Sequence, residues 1–316
     1  MFKDNAKQFD FLKYSKVYYI ISTCLVLVAI IAPIIFGLNI DIEFKGGSIA
    51  TYSFSGDIDT DNVAKLIKDT TGNTAKIRIS ENSATGKKNF IVSISEEISS
   101  QEQTKITAGL IKKFEQNKIE LVESSSVNAM NGRNFFIKCL IALATAAVLM
   151  IVYIAFRFKE IGGWSAGAIA ILALVHDLIV AFSVYAIFGI EIGGNFMAVM
   201  LTILGYSIND TIVVFDRVRE NKDSYGKKLS LADNVNTSLN QSFQRAINTS
   251  VATLIALTVV VIVSLIYNIN SMFDFIFPMV VGLISGVYSS LFFAPCVWVA
   301  WQKKLSGKKV VRKKRA

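Results

Sequence analysis

Three ionisable side chains lie where a chain seldom keeps them. His176 and Asp177 interrupt one apolar run, and Asp210 interrupts the next; His176 is the only histidine of the chain. An ionisable group at the centre of a bilayer costs roughly 2.5 to 3.5 kcal/mol on translocon-type scales. Groups retained at that cost commonly mark ion pathways and proton relays. Low dielectric favours the neutral form of a carboxylate. Such a group can load a proton from one side of a membrane and release it to the other. The plainer role is a hydrogen-bonded tie between helices, and both readings stay open for all three residues.

Spacing narrows the chemistry. The stretch from Val175 to Asn221 holds His176 and Asp177, a short turn Gly189-Ile190-Glu191-Ile192-Gly193-Gly194, and then Gly205-Tyr206-Ser207-Ile208-Asn209-Asp210-Thr211. In an antiparallel hairpin, His176 and Asp177 sit near the middle of one helix. Asp210 sits a few residues beyond the middle of the other, an offset on the order of 6 Å. Asn209 and Asp210 are about 100° apart around a helix and cannot face one direction. Asn209 shares a face with Gly205 and Thr202, which suits a helix contact. Asp210 shares one with Ser207 and Tyr206, which suits a polar channel. Arg245 opens the fifth apolar run and shares a face with Asn248 and Thr249. It reads either as an anchor at the membrane surface or as a cation that approaches Asp210 and changes its proton affinity. Asp216 and Arg217 read as interfacial residues.

Apolar helices must position these groups. The 316-residue chain is 53% hydrophobic and 18% charged, with a mean hydropathy of +0.48. Runs at about Val17–Phe36, Phe136–Phe156, Trp164–Phe188, Phe196–Phe215, Ala246–Ile266 and Phe275–Trp301 are each near or above the ~20 residues a spanning helix needs. The expected order is a tail 1–16, a first span 17–36, a polar domain 37–133, five spans within 134–301 and a basic tail 302–316. Leu229, Leu231, Val235 and Leu239 predict an amphipathic helix near 229–243 along the inner membrane surface. Small residues at Gly282 and Gly286, and at Gly163 and Gly167, predict close helix packing.

The net charge of +9 is divided among tails and turns. It does not form the stripe expected of a nucleic-acid protein, so no nucleic-acid partner is expected. Lys and Arg fill both tails, the turn after the second run and the connection after the fourth, whereas the turns at 189–195 and 267–274 have none. Both termini are therefore expected in the cytoplasm, and 37–133 outside. The basic tail suits contact with anionic membrane lipids. Cys24, Cys139 and Cys296 lie in apolar runs, which implies packing and no disulfide framework. The first run lacks a cleavage site and reads as an uncleaved anchor.

Within 37–133 the pattern reads βαββαβ, which favours an α+β, ferredoxin-like unit. Ile40 to Gly47 alternates into a Gly-Gly turn. Strands follow at Ile49 to Phe54, Ala75 to Ser80, Asn89 to Ser95 and Ile119 to Val127, with a polar turn at Ser83 to Lys88. Helices are expected from Asp59 or Thr60 to about Thr70 and from Ser99 to about Asn117. No metal cluster, cofactor motif or nucleophile–base pattern stands out, so a binding or mechanical domain is expected and not an enzyme.

The run Leu201-Thr202-Ile203-Leu204-Gly205-Tyr206-Ser207-Ile208-Asn209-Asp210-Thr211-Ile212-Val213-Val214-Phe215-Asp216-Arg217-Val218-Arg219-Glu220-Asn221 resembles the fourth transmembrane helix of the SecF family of protein-export membrane subunits. Phe44-Lys45-Gly46-Gly47, Ala173-Leu174-Val175-His176-Asp177 and the stretch from Arg245 to Ser250 resemble other parts of that family in the same order. The resemblance implies an accessory role in export in a bacterial cytoplasmic membrane, driven by a proton or sodium gradient. It implies a SecD partner, work beside the SecYEG channel and the SecA motor, unfolded preprotein as client and kinship with proton-driven RND transporters. The family's intramembrane carboxylate carries over to Asp210 and its functional arginine to Arg245. The family often has Gly-Pro before the second helix, where this chain reads Ser126-Val127-Asn128-Ala129. Two other classes stay open: half of a small-molecule or lipid efflux transporter, which requires an apolar substrate pocket and large outside loops in both halves where this chain has one, and a passive scaffold.

Overall fold

A computed structural model describes residues 9–82, 87–267 and 269–314. Ten α-helices and four strands alternate along the described chain: α1 Ser15–Phe36, α2 Ile42–Lys45, β1 Gly47–Phe54, α3 Thr60–Thr71, β2 Ala75–Asn82, β3 Lys87–Ile94, α4 Ser100–Lys113, β4 Glu120–Val127, α5 Ala129–Arg157, α6 Gly163–Phe188, α7 Gly194–Tyr225, α8 Leu231–Ile266, α9 Asn270–Tyr288 and α10 Ala294–Lys314. Six helical segments among the described residues are long and apolar enough to cross a membrane. The last of them, Ser271–Leu305, joins α9 and α10 through a π turn at Ser289–Phe293. The chain is a multi-pass membrane protein.

The strands make one antiparallel sheet in the order β2-β3-β1-β4. Alternation in β1 sends Ala50, Tyr52 and Phe54 inward. Val63 and Ile67 of α3 and Ile106 and Leu110 of α4 meet them with Phe90, Val92 and Ile94 in one core. Each such side chain contributes roughly 1.5–3 kcal/mol when fully buried. Local signals set the helix ends. Asp59 accepts from the backbone N–H groups of Asp61 and Asn62, and Gly72 closes α3 at φ +76°. Ser99 and Glu102 form a reciprocal capping box on α4. The Ser99 N–H, then its hydroxyl, hold the Glu102 carboxyl below its usual range. The polar turn expected at Ser83 to Lys88 lies at 83–86 outside the described residues, and Lys87 and Lys88 already belong to β3.

The alternating stretch before the sheet is not extended. Ile40 makes one bridge to Ile192, and then Asp41 caps Glu43 and starts the four-residue α2. A local cap followed by Gly46 at φ +79° outweighs a few alternating residues. The turn also fits its neighbour closely. A Cβ on Gly46 would stand 2.4 Å from Ala129 Cα, and one on Gly132 would stand 3.0 Å from the carbonyls of Glu43 and Phe44.

Sheet and membrane helices are tied at several points. Asp41 N–H donates to Ile192 O and Ile192 N–H to Asn39 O. The Glu43 carboxylate accepts from Gly194 N–H at 2.5 Å. Arg78 pairs with Glu191 at 2.9 Å. Across Ser126-Val127-Asn128-Ala129, β4 runs to Val127 and Asn128 caps α5 through Met130 N–H, so strand pairing and a cap make the joint.

Helices α6, α7 and α9 form the centre of the bundle, while α1, α5 and α8 are largely exposed along its outside. The amphipathic stretch near 229–243 is not a separate surface helix. It is the first part of α8, which runs unbroken for 36 residues. No Gly or Pro occurs from Leu231 to Ile266, so nothing breaks the helix. Helix α7 likewise continues past the expected end at Phe215 to Tyr225. Asn221 and Asn234 tie the two extensions together through Ser238 Oγ, Gln241 Oε1 and Val218 O.

Candidate functional site in the membrane core

Asp177 is fully buried, and donors from three elements converge on it. Ser207 of α7 donates to Oδ2 at 2.7 Å, Ser285 of α9 to Oδ1 at 2.7 Å and Ser289 of the π turn to Oδ2 at 2.7 Å. His176 Nδ1 stands 3.1 Å from Oδ1. One carboxylate thus joins α6, α7 and the sixth span. Buried polar groups are stable when satisfied in this way.

Glycines make the approach possible. A Cβ on Gly286 would lie 3.3 Å from Ser207 Cβ and 3.6 Å from Asp177 Oδ2, and one on Gly282 would lie 2.2 Å from Ile203 Cδ1. Gly163 and Gly167 play the same part between α6 and α5, where the nearest atoms are Ala155 O and Ile151 O. The π turn widens the helix at the site, as such turns often do. Two successive serines consequently reach inward. Ser289 meets Asp177, while Ser290 donates to Ser207 O at 3.1 Å and lies 2.8 Å from Thr211 Oγ1.

His176 is 4% exposed and packs its ring on Phe293, with centroids 5.6 Å apart. Its Nε2 has no hydrogen-bond partner among the described residues.

Asp210 is also buried, at 2% exposure, yet its surroundings are the opposite. Its one described hydrogen bond is from Ser250 of α8, at 3.3 Å. The same hydroxyl reaches Ala246 O at 2.8 Å. A serine has one proton to donate, and the shorter bond takes it. Asp210 is therefore almost without donors. Its network and that of Asp177 share no residue.

The remaining candidates lie elsewhere. Arg245 is exposed and forms no ion pair among the described residues. Ser250 lies five positions further on, about 140° around α8, so the helix that turns Ser250 toward Asp210 turns Arg245 away. Asn209, Gly205 and Thr202 form an exposed stripe on α7, with open space above Gly205. Tyr206, grouped with Asp210 by spacing, instead donates to Thr253 Oγ1 of α8 at 3.1 Å. Asp216 takes Arg157 at 2.9 Å and Arg219 at 3.1 Å. Arg217 bonds Gln241 and Glu220.

Spacing grouped Ser207 with Asp210, whereas its hydroxyl donates to Asp177, and the sequence did not single out Ser285 and Ser289 as partners of either carboxylate. Ser285 and Ser289 stand four apart, which puts them on one helical face. That spacing was the available signal for the cage. Nothing in the residue types marks the π turn.

The family model for "Protein export membrane protein SecD/SecF, C-terminal" matches residues 106–304. This chain belongs to the SecD/SecF family. The protein translocase subunit SecF of Sebaldella termitidis is 33% identical over 234 residues, covering 72% of each chain. That of Alicyclobacillus acidocaldarius is 28% identical over 309 residues, covering 96% of each. The crystal structure of SecDF from Thermus thermophilus, described as a translocon-associated membrane protein, superposes with a TM-score of 0.78 at 26% identity. The alignment covers 96% of this chain and 40% of that longer SecDF chain. Both carboxylates lie within the matched region.

Proposed function

We propose that this chain is an accessory subunit of the Sec protein translocase. It couples a proton or sodium gradient to late steps of preprotein export across the bacterial cytoplasmic membrane. The observation that carries this reading is Asp210, buried in a spanning helix with one long, contested hydrogen bond. A carboxylate left this free can exchange a cation as its surroundings change. Arg245 then acts on Asp210 in a second conformation, since the two stand apart in this one.

Both termini are cytoplasmic and the unit at 37–133 is outside, as the placement of Lys and Arg supports. The βαββαβ order with the β2-β3-β1-β4 sheet supports a ferredoxin-like assignment. That domain holds emerging unfolded preprotein, and the chain works beside SecYEG and SecA. SecD is its membrane partner, a reading supported by SecDF relatives that carry a longer chain. The exposed stripe of Thr202, Gly205 and Asn209 suits that contact, because small and polar residues at a membrane helix surface favour association.

Efflux of an apolar substrate remains the rival reading, because it requires an apolar pocket and one is present beside α5. Family membership weighs against it. The test is export into inverted vesicles lacking this chain, with ATP present. Restoring the chain with its partner should add a gradient-dependent increment of export. Recovery of export that is indifferent to the gradient would leave only a scaffold role.

A further inference from the structure

An apolar cavity of about 390 Å³ opens at the end of the bundle that carries the sheet. Phe44 of α2, Phe136 of α5, Phe182 of α6, Phe196 and Met197 of α7 and Ile192 of the intervening turn form its wall. Leu140, 44% exposed on α5, forms its lip toward the membrane. The size is ordinary for a small-ligand site, and the lining is almost wholly hydrocarbon.

Two cations stand among the lining residues, Lys45 and Arg133. Both are exposed, and neither makes an ion pair or a side-chain hydrogen bond among the described residues. Gly46 and Gly132 let α2 lie directly on the start of α5, and the residues next to them in sequence, Lys45 and Arg133, both line the cavity. Arg133, Phe136 and Leu140 follow at i, i+3 and i+7, so one face of α5 runs from the cation into the hydrocarbon.

We infer that this cavity binds one anionic phospholipid of the bilayer. An acyl chain enters past Leu140 and lies against the phenylalanines. The phosphate sits on Lys45 and Arg133, where a guanidinium can give a paired contact and an ammonium a point charge. The charge pattern selects this occupant. A neutral apolar ligand would leave both cations idle, and a protein segment that matched them would need acidic residues over a hydrocarbon slot. The position also fits, since cations at a membrane boundary attract anionic headgroups. The lipid would wedge the turn at 189–194 and α2 against α5, at the joint between sheet and membrane helices.

The test is native mass spectrometry of the full chain titrated with phosphatidylglycerol or phosphatidylcholine. Wild-type protein should bind a first phosphatidylglycerol at least tenfold more tightly than phosphatidylcholine. The exposed double change Lys45→Gln with Arg133→Gln should remove that preference and leave phosphatidylcholine binding unchanged. A second variant, Leu140→Trp, narrows the lip and should weaken both lipids. Equal titrations for wild type and the charge variant would overturn the inference. A photo-reactive residue at position 140, irradiated in native membranes, should give a lipid adduct. A protein adduct there would show another chain in the cavity and would also overturn it.

Discussion

Asp177 and Asp210 are both buried carboxylates in neighbouring spanning helices, and they are held in opposite ways. Three hydroxyls at 2.7 Å and an imidazole surround Asp177. Asp210 has one hydroxyl at 3.3 Å, and that proton is better spent on Ala246 O. A carboxylate with a full set of donors binds helices together, because moving any helix breaks a short bond in low dielectric. A carboxylate with few donors can change its cation or its neighbours at small structural cost. The same residue type therefore serves as a knot in one helix and as a candidate switch in the next.

The largest expected effect breaks the knot. Asp177→Ala leaves three buried hydroxyls and His176 without their acceptor and should cost about 3–5 kcal/mol, as loss of one partner from a buried charged network does. Thermal unfolding of the purified protein would read this as lower yield and an earlier transition. Ser289→Ala removes one of the four donors and should cost about 1.5–3 kcal/mol without changing the gradient response of the protein that folds. Should Asp177→Ala unfold no earlier than wild type, the contrast between the carboxylates would lose its structural half.

Packing next to the cage gives an intermediate effect. Gly282→Ala places a methyl 2.2 Å from Ile203 Cδ1 and should cost about 1–3 kcal/mol by overpacking. Ile203→Val deletes that methyl, so the double variant should recover much of the loss. Recovery is measured as a coupling in a double-mutant cycle; simple additivity would place the strain elsewhere.

Ser250→Ala and Arg245 sharpen the other half. Ser250 is buried but its hydroxyl bonds mainly its own helix, so Ser250→Ala should cost only about 0.5–1.5 kcal/mol, yet shift the pH dependence of gradient-driven export. Arg245→Lys keeps the charge and loses the planar fork, so it should impair export less than Arg245→Met, with neither changing thermal stability. Equal export by wild type, Arg245→Lys and Arg245→Met would assign Arg245 to anchoring alone.

The spans were legible because length and apolarity leave few other outcomes for such runs. The limits of α7 and α8 were not. Polar residues past Phe215 looked like a helix end, yet Asn221, Asn234 and Ser238 pair with one another and prolong both helices. Ile40 to Gly47 misled for a related reason: alternation over so few residues yields to the Asp41 cap. Both carboxylates were visible as charges among hydrocarbon. Their difference was not, since serines in apolar helices usually bond their own backbone. Ser207, Ser285 and Ser289 reach Asp177 only because glycines and a π turn bring three elements together.

The central claim is that Asp210 exchanges the coupling ion while Asp177 holds the fold. It is tested most directly by Asp210→Asn in inverted vesicles, assembled with the partner and supplied with ATP, with the gradient switched on and off. Asparagine keeps the size and some hydrogen bonding but has no proton to release. The expected result is normal folding and partner recovery, basal ATP-driven export and no increment when the gradient is applied. A full wild-type increment in Asp210→Asn would contradict the claim and make Asp210 a structural residue.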